Sequence, residues 1–279
     1  MSLVLLSLVA ASAGCSLLTN LDDLAGPDAD GGGSGTEGGA RDDATAPGAD
    51  GAAGDGAGGD GAADGDAAAK YTFTDDFNRA DTVSGLGNGW NEKFVGFRLA
   101  GGQAERFQMG TYDYRDTIAS RPSAETVGDV DVSVEFRFAP ANAGYVQVHA
   151  RVQTATLAQG GALDSYILFR NLNVDDGKTF TIARQRGTAT FVSLKDFQSS
   201  SVVGSAAKYR LRLRVTGSSP VTLAGSVEIQ NSTTWDMLGA ATVQDTAAQR
   251  IDGPGVVGIS AGNDPTEAFV YDNFAAQGL

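Results

Sequence analysis

From Lys70 to its C-terminus the chain alternates apolar and polar residues one by one, a period of two that suits a strand and no helix. Val130, Val132, Val134, Phe136 and Phe138 alternate with Asp131, Ser133, Glu135 and Arg137. Tyr209, Leu211, Leu213 and Val215 alternate with Lys208, Arg210, Arg212 and Arg214. Val146, Val148, Ala150 and Val152 alternate with Tyr145, Gln147, His149 and Arg151. Each set predicts one strand face in a core and the other in water. Further strands are expected at Tyr71–Phe77, Thr111–Ser120, Ser165–Asn171, Thr179–Arg186 and Thr190–Phe197, then at Val221–Ile229, Trp235–Val243, Gly255–Ala261 and Ala268–Ala275. Gly, Asn, Asp and Ser clusters separate these runs, and no window of helical length carries an apolar stripe. About twelve antiparallel strands exceed a seven-stranded immunoglobulin sandwich and fit an all-β, two-sheet jelly roll over residues 70–279.

Residues 1–69 read differently. The apolar run Leu3–Ala13 is shorter than the ~18 residues a membrane-spanning helix needs and suits the core of a signal peptide. Its end, Ser12-Ala13-Gly14-Cys15, resembles the cleavage box of bacterial lipoproteins. That resemblance implies a signal peptide over residues 1–14, a lipid on Cys15, and export, with Ser16 of the kind that permits passage to the outer membrane. Gly26–Ala69 holds 15 Gly, 13 Ala and 9 Asp, and no Val, Ile, Leu, Phe, Tyr, Trp or Met. A segment with nothing to bury cannot offset its ordering entropy, so residues 15–69 are expected to be a disordered linker spanning roughly 40 Å. This arrangement predicts a protein at the outer membrane or surface of a bacterium, touching the bilayer only through the lipidated Cys15.

Charge follows the same division. Of a formal net −14, residues 1–69 carry twelve acids and one base, net −11, which leaves −3 on residues 70–279. Neither part is basic, which argues against nucleic acid as a partner. A single Cys and a single His exclude a disulfide framework, a multi-thiolate metal site and a His-cluster zinc site.

Within the strand-rich part, Tyr71-Thr72-Phe73-Thr74-Asp75-Asp76-Phe77-Asn78-Arg79 followed by Leu86-Gly87-Asn88-Gly89-Trp90 resembles the opening of bacterial concanavalin A-like (laminin G-like) jelly rolls. The pair Gly144–Gln153 and Asp164–Asn171, the long strands Lys208–Gly217 and Val221–Glu228, and the closing Gly255–Ile259 and Phe269–Phe274 extend the resemblance over Tyr71–Ala275. It implies that the last strand lies beside the first and that sugars bind one concave sheet. The fold carries lectins, adhesion modules, glycoside hydrolases and lyases alike, so it leaves function open. It further implies a structural Ca²⁺ between the first strand (Asp75 or Asp76), a carbonyl of Gly101 or Gly102, and Asp272, with Asp76 and Asp272 as its carboxylates. The same two aspartates are also what turns and strand ends use to cap backbone amides.

The candidate ligand row is Gln147, His149 and Arg151, joined by Glu135, Arg137, Tyr166 and Arg170 if neighbouring strands pair in sequence order. Planar donors, an imidazole and a phenol in one row suit hydroxyl and carboxylate recognition. The plainer reading of this row is a solvated outer face. Gln147-Val148-His149 resembles one element of the alginate lyases of this fold, but their late Y-x-K-x-G-x-Y strand is absent. The E-x-D-x-x-E strand of retaining glucanases is absent too. Gly258-Ile259-Ser260-Ala261-Gly262 lacks the helix a nucleophile elbow requires, and Gly54, Gly56 and Gly59 lack the strand and helix of a dinucleotide loop. Trp90 and Trp235 are expected in core or rim packing, and Arg210, Arg212 and Arg214 on a solvated strand face. The preferred expectation is a monomeric, non-catalytic module for a polysaccharide or cell-surface glycan. The alternatives are a glycan-active enzyme using His149, Tyr166, Arg151 and Glu135, and an envelope or adhesion protein with a protein partner.

Overall fold

A computed structural model describes residues 70–92, 96–106, 118–138, 144–153, 163–171, 177–187, 191–204, 207–260 and 269–279. The expected signal peptide, Cys15, the linker and residues 111–117 lie outside the described residues. In chain order the strands begin with β1 (Thr72–Asp75), β2 (Asn91–Glu92), β3 (Phe97–Ala100), β4 (Gln103–Arg106) and β5 (Ile118–Ser120). The longer β6 (Val130–Phe138), β7 (Gln147–Val152), β8 (Ser165–Arg170), β9 (Thr179–Gln185) and β10 (Val192–Gln198) follow. The chain ends with β11 (Tyr209–Thr216), β12 (Val221–Asn231), β13 (Thr234–Asp245), β14 (Val256–Ser260) and β15 (Phe269–Gly278).

The strands form two antiparallel sheets, a jelly-roll sandwich. One sheet of eight strands runs β13-β12-β11-β6-β15-β4-β3, with β1 also pairing β15; the other, of seven, runs β10-β9-β8-β7-β14-β5-β2. The last strand therefore lies beside the first, Thr72 opposite Gln277 and Asp75 opposite Phe274. The expected strands are present wherever they are described. Added to them are the short β2, β3 and β4, whose two to four residues are too few to establish a period.

Alternation builds the core. Val130, Val132, Val134 and Phe136 of β6 and Leu211, Leu213 and Val215 of β11 point inward, against Val146, Val148 and Ala150 of β7 and Leu168, Phe180 and Ile182 behind them. Gly225 on β12 lets the sheets approach, because a Cβ there would lie 2.9 Å from the Ile182 side chain.

The seven-stranded sheet departs from expectation. Gln147, His149 and Arg151 were to face water, yet every residue of β7, β8 and β9 is buried. The outer face of this sheet carries its own apolar cluster, Ile167, Phe169 and Ala183, with Tyr145 and Phe191 against it. Arg151 leaves that face altogether. It sits at φ +52, and the register between β7 and β14 shifts beside it, so the strand bulges and the side chain turns inward. Gly255 makes room for the bulge: a Cβ there would come within 2.5 Å of the Arg151 backbone.

Candidate functional site

The open site lies on the outer face of the eight-stranded sheet, where register aligns small residues from strand to strand. Thr74 (β1) stands opposite Ala275 (β15), Ala275 opposite Ser133 (β6), and Ser133 opposite Arg212 (β11). Arg212 stands opposite Ser226 (β12), and Ser226 opposite Ala240 (β13). Arg212, the one long side chain in this row, leans sideways to bond Asp131 at 2.8 and 2.6 Å. One bank is the row Asp272, Glu135, Arg210, Glu228 and Met237; the other is Gln277, Asp131, Arg214, Ala224 and Thr242. Three recesses of about 770, 420 and 480 Å³ lie along this trough, and each shares lining residues with the next. Six strands at the usual spacing make it about 24 Å long.

Among the described residues most of its charges are paired, with exposed Arg214 on the second bank the exception. Lys208 reaches Glu135 at 2.7 Å and Asp272 at 3.0 Å. Burial works against the lysine's charge, and these two carboxylates outweigh it, holding its pKa above the ordinary lysine value. Arg210 pairs with Glu228 and lies over the Trp235 ring, 4.5 Å from its centroid. Asn273, turned by a bulge in β15 at φ +42, gives its Nδ2 to Glu135 at 2.8 Å. At the β1 end, Asp76, Asn78, Arg79 and Asn88 line the largest recess over the buried Asp75. Burial pushes Asp75 up, but bonds from Arg79, Trp90, the Phe77 amide and Asn88 outweigh it, leaving its carboxyl below the ordinary aspartate range.

The seven expected ligand residues fall into three places. Glu135 borders the largest recess, and Arg137, exposed, stands two residues further along the same face of β6. Gln147 and His149 sit on the opposite sheet in a buried chain of bonds. His149 Nε2 meets Ser260 Oγ at 2.6 Å, Nδ1 meets Ser165 Oγ at 3.1 Å, and Ser260 Oγ donates to Gln147 Oε1 at 2.9 Å. Burial drives the His149 pKa down to about 3, so it is neutral at physiological pH.

Arg151, Tyr166 and Arg170 lie between the sheets. Arg151 donates to the carbonyls of Gly128, Ile251 and Gly217 and to Asp129. Tyr166 donates to Asp245, which Arg184 holds at 2.7 Å, and accepts from the Ile251 amide. Arg170 lies over Phe138, 4.9 Å from its centroid. Sequential pairing does not carry β6 beside β7, because β6 belongs to the other sheet, and alternation turns Tyr166 and Arg170 inward. His149, Tyr166, Arg151 and Glu135 are thus not brought to one surface.

The residues expected to hold calcium do not fit it. Asp272 is taken by Lys208 and by the Asn273 amide at 2.9 Å; Asp76 accepts the Asn78 amide at 3.0 Å; no contact joins the two. Among the described residues no group of three or more His, Cys, Asp or Glu is placed to hold a metal ion. Trp90 is in the core and Trp235 on the rim, as expected. Ser133, Ser226 and Asn273 are the trough residues that the sequence did not single out, whereas Arg210 and Arg212 were expected on a solvated strand face and stand on one. The signal of the first three is a small or paired polar residue at the solvent position of successive strands, which becomes a row only when the register is known.

No protein-family model matches the chain, and no curated protein matches it. A GH43 protein from Bacillus licheniformis is similar in structure at 18% identity and TM-score 0.45, over 74% of this chain and 39% of its own. A carbohydrate binding module from Bacillus subtilis is similar at 10% identity and TM-score 0.43, over 68% of this chain and 95% of its own. A Bacillus subtilis protein of unknown function with a galectin-like fold reaches 13% identity and TM-score 0.48, over 73% and 94%. The chain thus spans well under half the length of the GH43 protein. Likeness this slight carries no functional inference.

Proposed function

We propose that the protein is a non-catalytic glycan-binding module, displayed from a bacterial surface by a lipid on Cys15, and that a polysaccharide lies in the trough of the eight-stranded sheet. The observation that carries this reading is the small-residue row Thr74, Ala275, Ser133, Ser226 and Ala240 between two polar banks whose charges are mostly paired. Paired carboxylates and guanidinium groups keep spare lone pairs and N–H groups in fixed directions, which suits hydroxyls and planar recognition, and the exposed Arg214 offers a further guanidinium. The lipid anchor is supported by the Leu3–Ala13 run and the Ser12-Ala13-Gly14-Cys15 box.

The test uses the full-length protein in co-sedimentation with cellulose, xylan and chitin, beside a reducing-end assay. Native protein is expected to sediment with at least one of them and to release no reducing ends. Ser133→Tyr, which fills the trough at its middle, is expected to abolish sedimentation with the unfolding midpoint unchanged. Sedimentation that survives Ser133→Tyr would move the site elsewhere, and release of reducing ends would make the protein an enzyme. Failure to bind any polysaccharide beside capture of a protein partner would favour the envelope-protein reading.

A further inference from the structure

The calcium expected at the first strand is missing a place to sit, and the chain supplies a cation of its own there. Asp75 is 4% exposed, and its carboxylate accepts five hydrogen bonds. Oδ1 takes the Phe77 amide at 2.8 Å and Arg79 Nη1 at 2.6 Å. Oδ2 takes Arg79 Nη2 at 3.1 Å, Trp90 Nε1 at 2.7 Å and Asn88 Nδ2 at 3.2 Å. The same guanidinium also donates to the Leu86 carbonyl, from Nε at 3.2 Å and Nη2 at 2.6 Å.

A carboxylate gripped along both oxygens together with a main-chain carbonyl is the kind of oxygen set that Ca²⁺ takes in proteins. We propose that Arg79 occupies the place of the calcium ion, so that the Asp75 pocket is a cation site filled permanently by its own chain.

Three features of the pocket argue for this. A carboxylate has about four lone-pair directions, and five donors already share those of Asp75, leaving none for a metal. The indole N–H of Trp90 and the amide of Asn88 direct their hydrogens at the carboxylate, where a second cation would meet positive edges. The neighbouring acids do not complete a substitute site: Asp272 is neutralised by Lys208, and among the described residues no group of three or more His, Cys, Asp or Glu is placed to hold a metal. Shape agrees with charge. The Arg79 side chain is 30% exposed and that of Asp75 1%, so the guanidinium closes the pocket from the solvent side and forms part of the largest recess. Of its five N–H groups, four are spent on Asp75 and Leu86, and one on Nη1 remains for whatever enters.

The full-length protein is tested with Tb³⁺ as a calcium mimic, excited through tryptophan, because Trp90 touches Asp75. The native protein is expected to show no Tb³⁺ emission that Ca²⁺ displaces, and an unfolding midpoint unmoved by EDTA or by millimolar CaCl₂. Arg79→Ala leaves a buried carboxylate unpaired. It is expected to lower the midpoint by roughly 5–10 °C, to recover part of that loss in CaCl₂, and to gain Ca²⁺-displaceable emission. Arg79→Lys keeps the charge and loses the fork; it is expected to fold, to melt between the other two and to stay silent toward Tb³⁺. Displaceable emission or a CaCl₂-raised midpoint in the native protein overturns the proposal. So does an Arg79→Ala protein that folds with an unchanged midpoint or stays silent. If Arg79→Ala does not fold, an Arg79→Lys protein that gains displaceable emission overturns it equally. Retention of a glycan should also be indifferent to EDTA. That expectation rests on the trough reading, whereas the Tb³⁺ and melting measurements stand without it.

Discussion

His149 illustrates how much one covered face changes. As the sole imidazole, alternating with buried valines, it has the sequence position of a ligand-binding histidine, yet it is 0% exposed and bonded on both ring nitrogens. Burial holds its pKa near 3. The unfolded imidazole, at about 6.5, takes up a proton as pH falls, and the native one cannot follow until about 3. Between those values the unfolded chain binds more protons, so stability falls as pH falls, by roughly 1.4 kcal/mol per unit once well below 6.5. Asp75 has the other pattern: its depressed carboxyl contributes fully above the ordinary aspartate value of 3.8 and loses that contribution only below it. From about pH 6.5 to about 4.5, native protein should therefore lose urea resistance more steeply than His149→Gln. Parallel curves would mean that the ring is protonated inside the fold. The strand and the face of His149 were legible from alternation. What was not legible was that β8 and β9 set Ile167, Phe169 and Ala183 on that same face beside it, with Phe191 packed against them, since each of these reads as an ordinary strand residue.

Among elements, the long edge strand β13 depends on a glycine. A Cβ on Gly239 would stand 2.5 Å from the Gln198 carbonyl oxygen at the end of β10, and close by the Ser200 amide donates to the Leu238 carbonyl at 2.8 Å. The edges of the two sheets meet along this seam, which withdraws part of β13 from edge-to-edge pairing. Gly239→Ala should cost about 1–3 kcal/mol by forcing backbone apart, read as a lowered urea midpoint. Gly128→Ala, with open space around its Cβ, should change nothing measurable. An equal effect at both positions would show that the seam does not carry that strain. Strands of six residues or more announce themselves by period. The Arg151 bulge does not, because the same alternation continues through it in sequence while the side chains exchange faces in space. The inward turn of Arg151 toward Gly128, Ile251 and Gly217 thus depends on a φ of +52 that the local pattern conceals.

For the molecule as a whole, the two-sheet architecture follows from the number of alternating strands, and the pairing of first with last strand was implied by the resemblance of the opening and closing motifs to concanavalin A-like jelly rolls. The trough follows from neither, because it belongs to register: Ser133, Ser226 and Ala275 are unremarkable until three pairings set them in line. The proposed anchor belongs to this scale too. Cys15→Ser in the producing bacterium should move the protein from the membrane fraction to the soluble one, read by fractionation and immunoblot. An unchanged distribution would remove the lipid from the proposal.

The neighbourhood of β1 and β15 also has a mechanical meaning. Thr72 at the start of β1 faces Gln277 near the end of β15, and the Gly278 amide donates to the Tyr71 carbonyl at 2.7 Å. A pull on Lys70 that draws β1 away from β15 loads these rungs one after another, starting at Thr72, so β1 peels instead of shearing. Thr74 lies on that strand and forms one end of the trough. Tension along the chain and the grip on the proposed polymer therefore meet at the same four residues, so a chain hauled hard enough would loosen that end of the trough while the rest of the sandwich stayed folded.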